Sequence, residues 1–520
     1  MSITPASSGA TSGAQAGAPA GADRLARLAL ATVMIGAFMS LLDTTIVNVA
    51  LPSIARGLAA SHSALEWVVS GYALAFGLVL IPAGRLGDAI GRRPVYVAGL
   101  VAFLLASLGA GLSRTAGELV AARIVQGVAA GTYYTQINAT IVDMFAGRER
   151  GKAFGVLAAV IGLSTAVGPL AGGLLISAAG PHTGWRWIFL VNLGIGVIAL
   201  PAAARYLPAP VRSCVHRARQ RADIAGLGLL TAALVAMLLP LIEGQTYGWP
   251  LWTYGCLAAS VLLLAGMWRW ESRIERAGRT PLISPRVVRQ PAFATGAVFA
   301  LAYFASFTSI FFSLAVTWQE GFGHGALASG LVVSPFAAGA IVTARKSSAI
   351  AQRLGRWTLI LGCGTVATGL VCLLLVFHFS GAPSGWYLVG PLLVTGLGHG
   401  MIVAPNIDQV LKSVPPSDNG SASGVLNTAQ RVGSAFGIAV VGTVLFGTLH
   451  PAGPGAPALA AAFGHSLQDA LAVNIGLIVV ALALAAFGPR QAVPIPGAAP
   501  GQDAAESAAT PVPAVPAARP

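Results

Sequence analysis

The residue that most needs a chemical explanation is Asp43, in the run Ala37-Phe38-Met39-Ser40-Leu41-Leu42-Asp43-Thr44-Thr45-Ile46-Val47-Asn48-Val49-Ala50. The stretch around it is apolar and long enough to cross a bilayer. A carboxylate in hydrocarbon is costly, and one kept there points to a polar cavity that handles a proton, a cationic substrate or both. A second charge, Arg123, lies inside another such stretch. Counted from the inner end of its span, Asp43 is about 14 residues deep, roughly 21 Å at the helical rise. Arg123 is about six residues from the outer end of its own span, roughly 9 Å. In a hydrocarbon core about 30 Å thick the two fall near one level. Opposite charges in one cavity offset part of each other's desolvation. The expectation is that Asp43 and Arg123 meet, and that proton or substrate binding at Asp43 weakens the pair. The alternative is a static pair that only holds helices together.

Other polar groups interrupt the apolar runs. Gln126, Tyr134, Gln136 and Asn138 share a stretch with Arg123 and are the candidates for a substrate cavity. Asn192, Asn406, His378 and His399 fit better as groups bonded to a neighbouring helix. Tyr303, Phe304, Phe307, Phe311 and Phe312 give one stretch a heavy aromatic load, with some on one face; they either stack on a flat ligand or pack against lipid and protein.

Positioning such groups takes membrane-spanning helices. Apolar residues make up 55% of the 520 and charged residues only 9%, against about 25% charge in a soluble domain. Fourteen stretches reach the roughly 20 residues a spanning helix needs, among them 29–51, 117–137, 386–408 and 467–487. With the N-terminus inside, 26 of the 31 basic residues lie on the cytoplasmic side, three lie outside and two, Arg123 and Arg431, fall within spans. That asymmetry sets the orientation, with both termini cytoplasmic. It also argues against nucleic acid as a partner despite the net charge of +14, because the arginines sit in short loops between apolar runs. The four cysteines have neither disulfide-framework nor zinc-ligand spacing. Residues 1–22 and 490–520 are rich in Ala, Gly, Ser and Pro and are expected to be disordered cytoplasmic tails.

The chain repeats internally. Gly151-Lys152-Ala153-Phe154-Gly155-Val156-Leu157 returns as Gly420-Ser421-Ala422-Ser423-Gly424-Val425-Leu426. The segment from Gly84 to Arg92 is echoed by Ile350-Ala351-Gln352-Arg353-Leu354-Gly355-Arg356, where Gln352 replaces the acid. Both offsets correspond to eight spans. The expected fold is an all-α polytopic membrane protein with two six-helix bundles and two extra helices between them, a 6+2+6 arrangement of 14 transmembrane helices. Its divisions are 23–206, 207–290 and 291–489, and substrate is expected near midplane between the halves.

The loop after the second span reads Gly84-Arg85-Leu86-Gly87-Asp88-Ala89-Ile90-Gly91-Arg92-Arg93-Pro94. Its glycines suit a tight turn. Asp88 can accept from backbone donors at a helix start, and Asp143 is a partner within reach of the arginines. This loop resembles the signature between helices two and three of the major facilitator superfamily. Arg123-Ile124-Val125-Gln126-Gly127 resembles that family's helix-four basic motif. Gly162-Leu163-Ser164-Thr165-Ala166-Val167-Gly168-Pro169-Leu170-Ala171-Gly172-Gly173 resembles its antiporter-associated helix-five segment. Leu42-Asp43-Thr44-Thr45-Ile46-Val47-Asn48-Val49-Ala50-Leu51-Pro52 and Trp185-Arg186-Trp187-Ile188-Phe189-Leu190-Val191-Asn192 are similar to the fourteen-span drug:proton antiporter branch.

The resemblance implies alternating access and export of lipophilic, often cationic compounds in exchange for protons. Proton coupling is expected at Asp43 and Arg123, and conformational gating at Gly84, Gly87, Asp88, Gly91, Arg92, Asp143, Gly168 and Pro169. Pro169 beside glycines is either a hinge or simply a close helix contact. No cofactor is expected, because Gly147-Arg148-Glu149-Arg150-Gly151-Lys152-Ala153 has neither the glycine spacing nor the Ser or Thr of a phosphate loop. The energy source is then a proton gradient, the location the cytoplasmic (inner) membrane and the working unit a monomer. Uptake symport of a small metabolite is the competing reading. An enzyme is not expected, for want of a catalytic constellation or a soluble domain.

Overall fold

Long runs of Ala, Leu, Val and Gly form helices almost throughout, since a chain in hydrocarbon must satisfy its backbone groups within itself. The computed structural model describes residues 20–488 except 146, 209–222, 245, 280, 381–382, 415–418, 452 and 454. The expected tails, apart from Ala20 and its neighbours, and most of the basic connection near Cys214 lie outside the described residues.

The first six helices are α1 (Ala20–Leu58), α2 (His62–Ile90), α3 (Arg92–Leu112), α4 (Ala116–Met144), α5 (Gly147–Ala179) and α6 (Trp185–Tyr206). Next come α7 (Ile224–Glu243), α8 (Leu251–Arg276) and the short α9 (Pro285–Val288). The remainder is α10 (Pro291–Val316), α11 (Ala326–Ala344), the short α12 (Ser347–Leu354), α13 (Trp357–Ser380), α14 (Gly385–Gly400), α15 (Val403–Lys412), α16 (Asn419–Gly447) and α17 (Ala456–Phe487). A single π-helical turn, Thr317–Gly321, extends α10. Side-chain caps open the helices where the sequence supplies them. Ser61 accepts from the Ala64 amide ahead of α2, and Thr115 accepts from Glu118 ahead of α4.

Thirteen of the described helical segments are long and apolar enough to cross a membrane. The fourteenth expected span, 117–137, lies in α4, which is 29 residues long. It is too polar to join that set, since it carries Glu118, Arg123, Gln126, Gln136 and Asn138. The expected span 386–408 is broken: α14 stops at Gly400 and α15 starts at Val403, with hydrogen bonds from Met401 to Gly398 and from Ile402 to His399 tightening the junction.

Helix partners repeat along the chain. α1 packs on α5 and α6 as α10 packs on α16 and α17. α4 packs on α2 and α3 as α14 packs on α11 and α13, and α3 meets α6 as α13 meets α17. The halves join through two crossed seams, α5 on α11 and α2 on α16. α7 and α8 pair with each other, and α7 leans on α2 and α16.

At the end of the bundle bearing the α1–α2 turn the halves are closed on each other. Gln319 Nε2 donates to the Val49 carbonyl at 2.9 Å, and His62 stacks on Phe446 with ring centroids 3.8 Å apart. Towards the middle, Ser70 donates to the Ala435 carbonyl at 3.3 Å and Thr428 to the Gly77 carbonyl at 3.0 Å.

Candidate functional site

Asp43 and Arg123 meet. Arg123 Nη1 lies 2.6 Å from Asp43 Oδ2, with the two side chains 1% and 0% exposed. Asp43 Oδ1 accepts from Gln126 Nε2 and Asn192 Nδ2, both at 3.0 Å. Arg123 Nη1 also donates to Gln126 Oε1 at 2.6 Å, and its Nε donates to the Val68 carbonyl at 3.0 Å. Ser107 Oγ accepts from Gln126 at 2.7 Å and from Asn192 at 3.4 Å. Four helices therefore converge on one carboxylate: α1 brings the acid, α4 Arg123 and Gln126, α3 Ser107 and α6 Asn192.

A buried ion pair of this kind persists only when its remaining hydrogen-bond capacity is met, because desolvation of each ion costs several kcal/mol. The guanidinium also lies 4.0 Å above the Tyr72 ring and 5.7 Å from that of Phe189, so its faces are occupied by aromatic groups as well.

Beside this pair is a central cavity of about 80 Å³ between the two halves. That space holds a few waters, against roughly 300–1,000 Å³ for a drug-sized site, so the state is contracted. Thr44, Thr45 and Asn48 of α1 line it, with Tyr72 of α2, Arg123 of α4 and Pro169 of α5. Across it stand Phe304, Phe307, Thr308 and Phe311 of α10 and Arg431 and Ser434 of α16. Asp43 is not on the wall; it lies behind Arg123.

The candidates named from the sequence divide. Gln126 belongs to the sealed network around Asp43. Tyr134 is buried against Phe76, with centroids 5.6 Å apart, away from the cavity wall. Gln136 donates to the Ala83 carbonyl at 2.9 Å and ties α4 to α2. Asn138 is half-buried on α4 and off the wall. The aromatic stretch is split: Phe304, Phe307 and Phe311 face the cavity, whereas Tyr303 and Phe312 are buried in the core.

The segment read as a loop after the second span is mostly helix. Gly84 and Gly87 lie inside α2, where they let α4 come close: a Cβ at Gly84 would stand 3.3 Å from Thr135 Cγ2, and one at Gly87 would collide with Gln136. The turn is Gly91 alone, whose φ of 103° suits glycine. Asp88 sits in the last turn of α2, not at a helix start. It pairs with Arg92 Nη2 at 2.6 Å, while Arg92 Nε reaches Asp143 Oδ2 at 3.1 Å. Arg93 donates to the Ala204 carbonyl, which fastens the same corner to α6.

On α5, a Cβ at Gly168 would run into Thr45, and Gly330 of α11 lies against the Pro169 carbonyl. Gly168 and Pro169 thus sit where α5 is clasped between α1 and α11.

The sequence reading gave no role to Arg431, although it is a charge within a span like Asp43. Ser107 and Asn192 were equally open to it as polar groups within spans, but their convergence on Asp43 depends on helix rotation, which hydropathy does not report.

Comparison with known proteins agrees with this architecture. The family model of the Major Facilitator Superfamily matches residues 33–222 and 215–438. The chain is 35% identical over 429 residues to the probable actinorhodin transporter of Streptomyces coelicolor, covering 81% of this chain and 73% of that one. It is 31% identical over 420 residues to the tetracenomycin C resistance and export protein of Streptomyces glaucescens, covering 80% and 75%. Among solved structures, an auto-inhibited POT family peptide transporter superposes with a TM-score of 0.61 at 15% identity, over 91% of this chain and 98% of that one; this likeness bears on fold alone. Matched by the family model over most of its length and built of paired helical halves, the chain is a multi-pass membrane transport protein and belongs to the major facilitator superfamily.

Proposed function

We propose that the protein exports lipophilic small molecules, antibiotics or metabolites, in exchange for protons by alternating access. The observation that carries this reading is the buried Asp43–Arg123 pair standing directly behind a cavity between two halves. Relatives named a probable actinorhodin transporter and a tetracenomycin C resistance and export protein support the export of small molecules. Protonation of Asp43 removes the charge that holds Arg123. The guanidinium, already on the cavity wall, then turns toward the cavity or toward substrate. The sealed pair is restored only when Asp43 loses its proton, so each cycle must take up a proton and release it, and that is the coupling.

In this reading α4 is the fourteenth span, the bundles are 23–206 and 291–489, and α7 and α8 are linking helices. The N-terminus is cytoplasmic, the membrane is the inner one and a monomer suffices. The closed end of the bundle then faces outward. Among the described residues no carboxylate lines the cavity, so a cationic substrate finds no counter-ion among them in this state.

The test uses cells expressing the chain and a panel of fluorescent aromatic compounds of both charges, with and without an uncoupler. Lower accumulation of at least one compound, abolished by the uncoupler, is expected. Unchanged accumulation of every compound refutes export; uncoupler-driven loss of uptake would establish symport instead.

A further inference from the structure

Arg431 is the unusual charge of the cavity. It extends from α16, half-buried, with its guanidinium 4.1 Å from the Phe76 ring centroid. Its stem passes Gly77, where a Cβ would stand 2.8 Å from the Arg431 Cβ, so the side chain leaves α16 at the seam with α2, and it lines the cavity. Among the described residues no carboxylate pairs with it; the ion pairs there join Arg92, Arg123, Lys152 and Lys412 to acids. Arg123 differs, since its donors are directed to Asp43, Gln126 and the Val68 carbonyl. With Asp43 and Arg123 neutralising each other, the wall keeps one uncompensated positive charge.

An unpaired cation at a site of low dielectric is costly unless something supplies the opposite charge. A guanidinium presents a planar fork that suits a carboxylate or a phenolate. On the same wall of the cavity are Phe304, Phe307 and Phe311, with the hydroxyls of Thr308 and Ser434, themselves 2.8 Å apart. Flat apolar surface, two hydroxyls and a guanidinium without an acidic partner among the described residues form a complementary set.

We propose that the substrate is a planar aromatic anion whose carboxylate or phenolate is held by Arg431 while its rings lie against the α10 phenylalanines. This deepens the export reading and rests on it. Because the cavity is contracted here, binding must separate α10 and α16 from α1 and α2.

The test is equilibrium binding to purified protein in lipid nanodiscs, which needs no gradient and so does not depend on the direction or coupling of transport. The probes are anthraquinone-2-carboxylate and its uncharged carboxamide, followed by quenching of tryptophan fluorescence. Wild type is expected to bind the acid at least tenfold more tightly than the amide. R431Q should remove that preference while changing amide affinity less than twofold, and R431K should recover part of it. If R431Q does not fold, the wild-type preference and R431K decide the matter. Equal affinity of the two probes for wild type, failure of both to bind, or an acid preference that survives R431Q or is fully kept by a misassembled control, overturns the assignment. A protein that exports only cationic dyes in the cell assay and lacks the acid preference would overturn this inference and leave export standing; one with the preference but no uncoupler-sensitive efflux would do the reverse.

Discussion

Replacing Asp43 by Asn keeps the shape of the side chain and removes its charge. In the native site Oδ2 receives Arg123, and Oδ1 receives both Gln126 and Asn192. An amide has one acceptor oxygen and one donor group. If the oxygen keeps Gln126 and Asn192, the amide nitrogen points at the Arg123 guanidinium; if it is flipped, two amide donors face a third. In the first case one native bond becomes a donor–donor contact and in the second two do, and either way Arg123 loses its counter-charge. Leaving a buried charge unpaired costs about 3–5 kcal/mol. The lower end applies, because Arg123 borders the cavity and can turn toward water there.

A change of about 3 kcal/mol is a factor of more than 100 in the balance between sealed and released pair. The variant is thus held in the released, protonated-like arrangement. The assay is transport of a compound shown to be exported by wild type, in proteoliposomes. Accumulation driven by an imposed pH gradient should fall at least about 100-fold, by the same conversion. Gradient-free exchange of labelled for unlabelled compound should persist within a few-fold, since it requires rocking but no net proton movement. Full gradient-driven accumulation by Asp43→Asn would refute the reasoning. Loss of exchange as well, in a variant with a normal thermal transition, would mean that the pair holds the helices and does not couple.

Three further outcomes follow from the same geometry. Asn192→Leu removes one donor to the carboxylate and should cost about 1–3 kcal/mol in unfolding free energy, read from denaturation in detergent; no measurable loss would mean the bond is not formed in the membrane. Gly168→Val drives a side chain into Thr45 at the α1–α5 contact. It should destabilise by about 1–3 kcal/mol and slow exchange, and wild-type exchange would show that the contact opens freely. Arg92 is half-exposed and Asp143 exposed, so a double-mutant cycle over that pair should give a coupling of no more than about 1 kcal/mol; a larger value would show that the corner is buried in another state.

The outline of the fold was legible because two strong physical signals agree: the length of apolar runs and the sidedness of arginine. The meeting of Asp43 with Arg123 was also legible, because depth along a helix is a matter of counting. Facing direction was not. Gln126 lies one turn from Arg123, yet the rotation of α4 turns it into the sealed network around Asp43; Gln136 and Asn138 lie roughly 20 Å further along α4 than Arg123 and are off the wall. Gly84 and Gly87 look like turn residues in a one-dimensional reading, but here they serve the close approach of two helices that continue past them. The break between α14 and α15 escaped notice because Gly398, Gly400 and Met401 do not lower hydropathy enough to interrupt a span. Arg431 shows a different shortfall. Its charge within a span was as visible as that of Asp43, but its importance rests on the lack of an acidic partner among the described residues, which only three-dimensional placement reveals.

The central claim is that the carboxyl of Asp43 gains and loses a proton during the cycle. Infrared difference spectroscopy of the reconstituted protein, stepped between alkaline and acid pH in H2O and again in D2O, tests it directly. The account predicts a protonated-carboxyl stretching band that grows on acidification, shifts in D2O and is missing from Asp43→Asn. A difference spectrum identical in wild type and Asp43→Asn, with and without a transported compound, would contradict it.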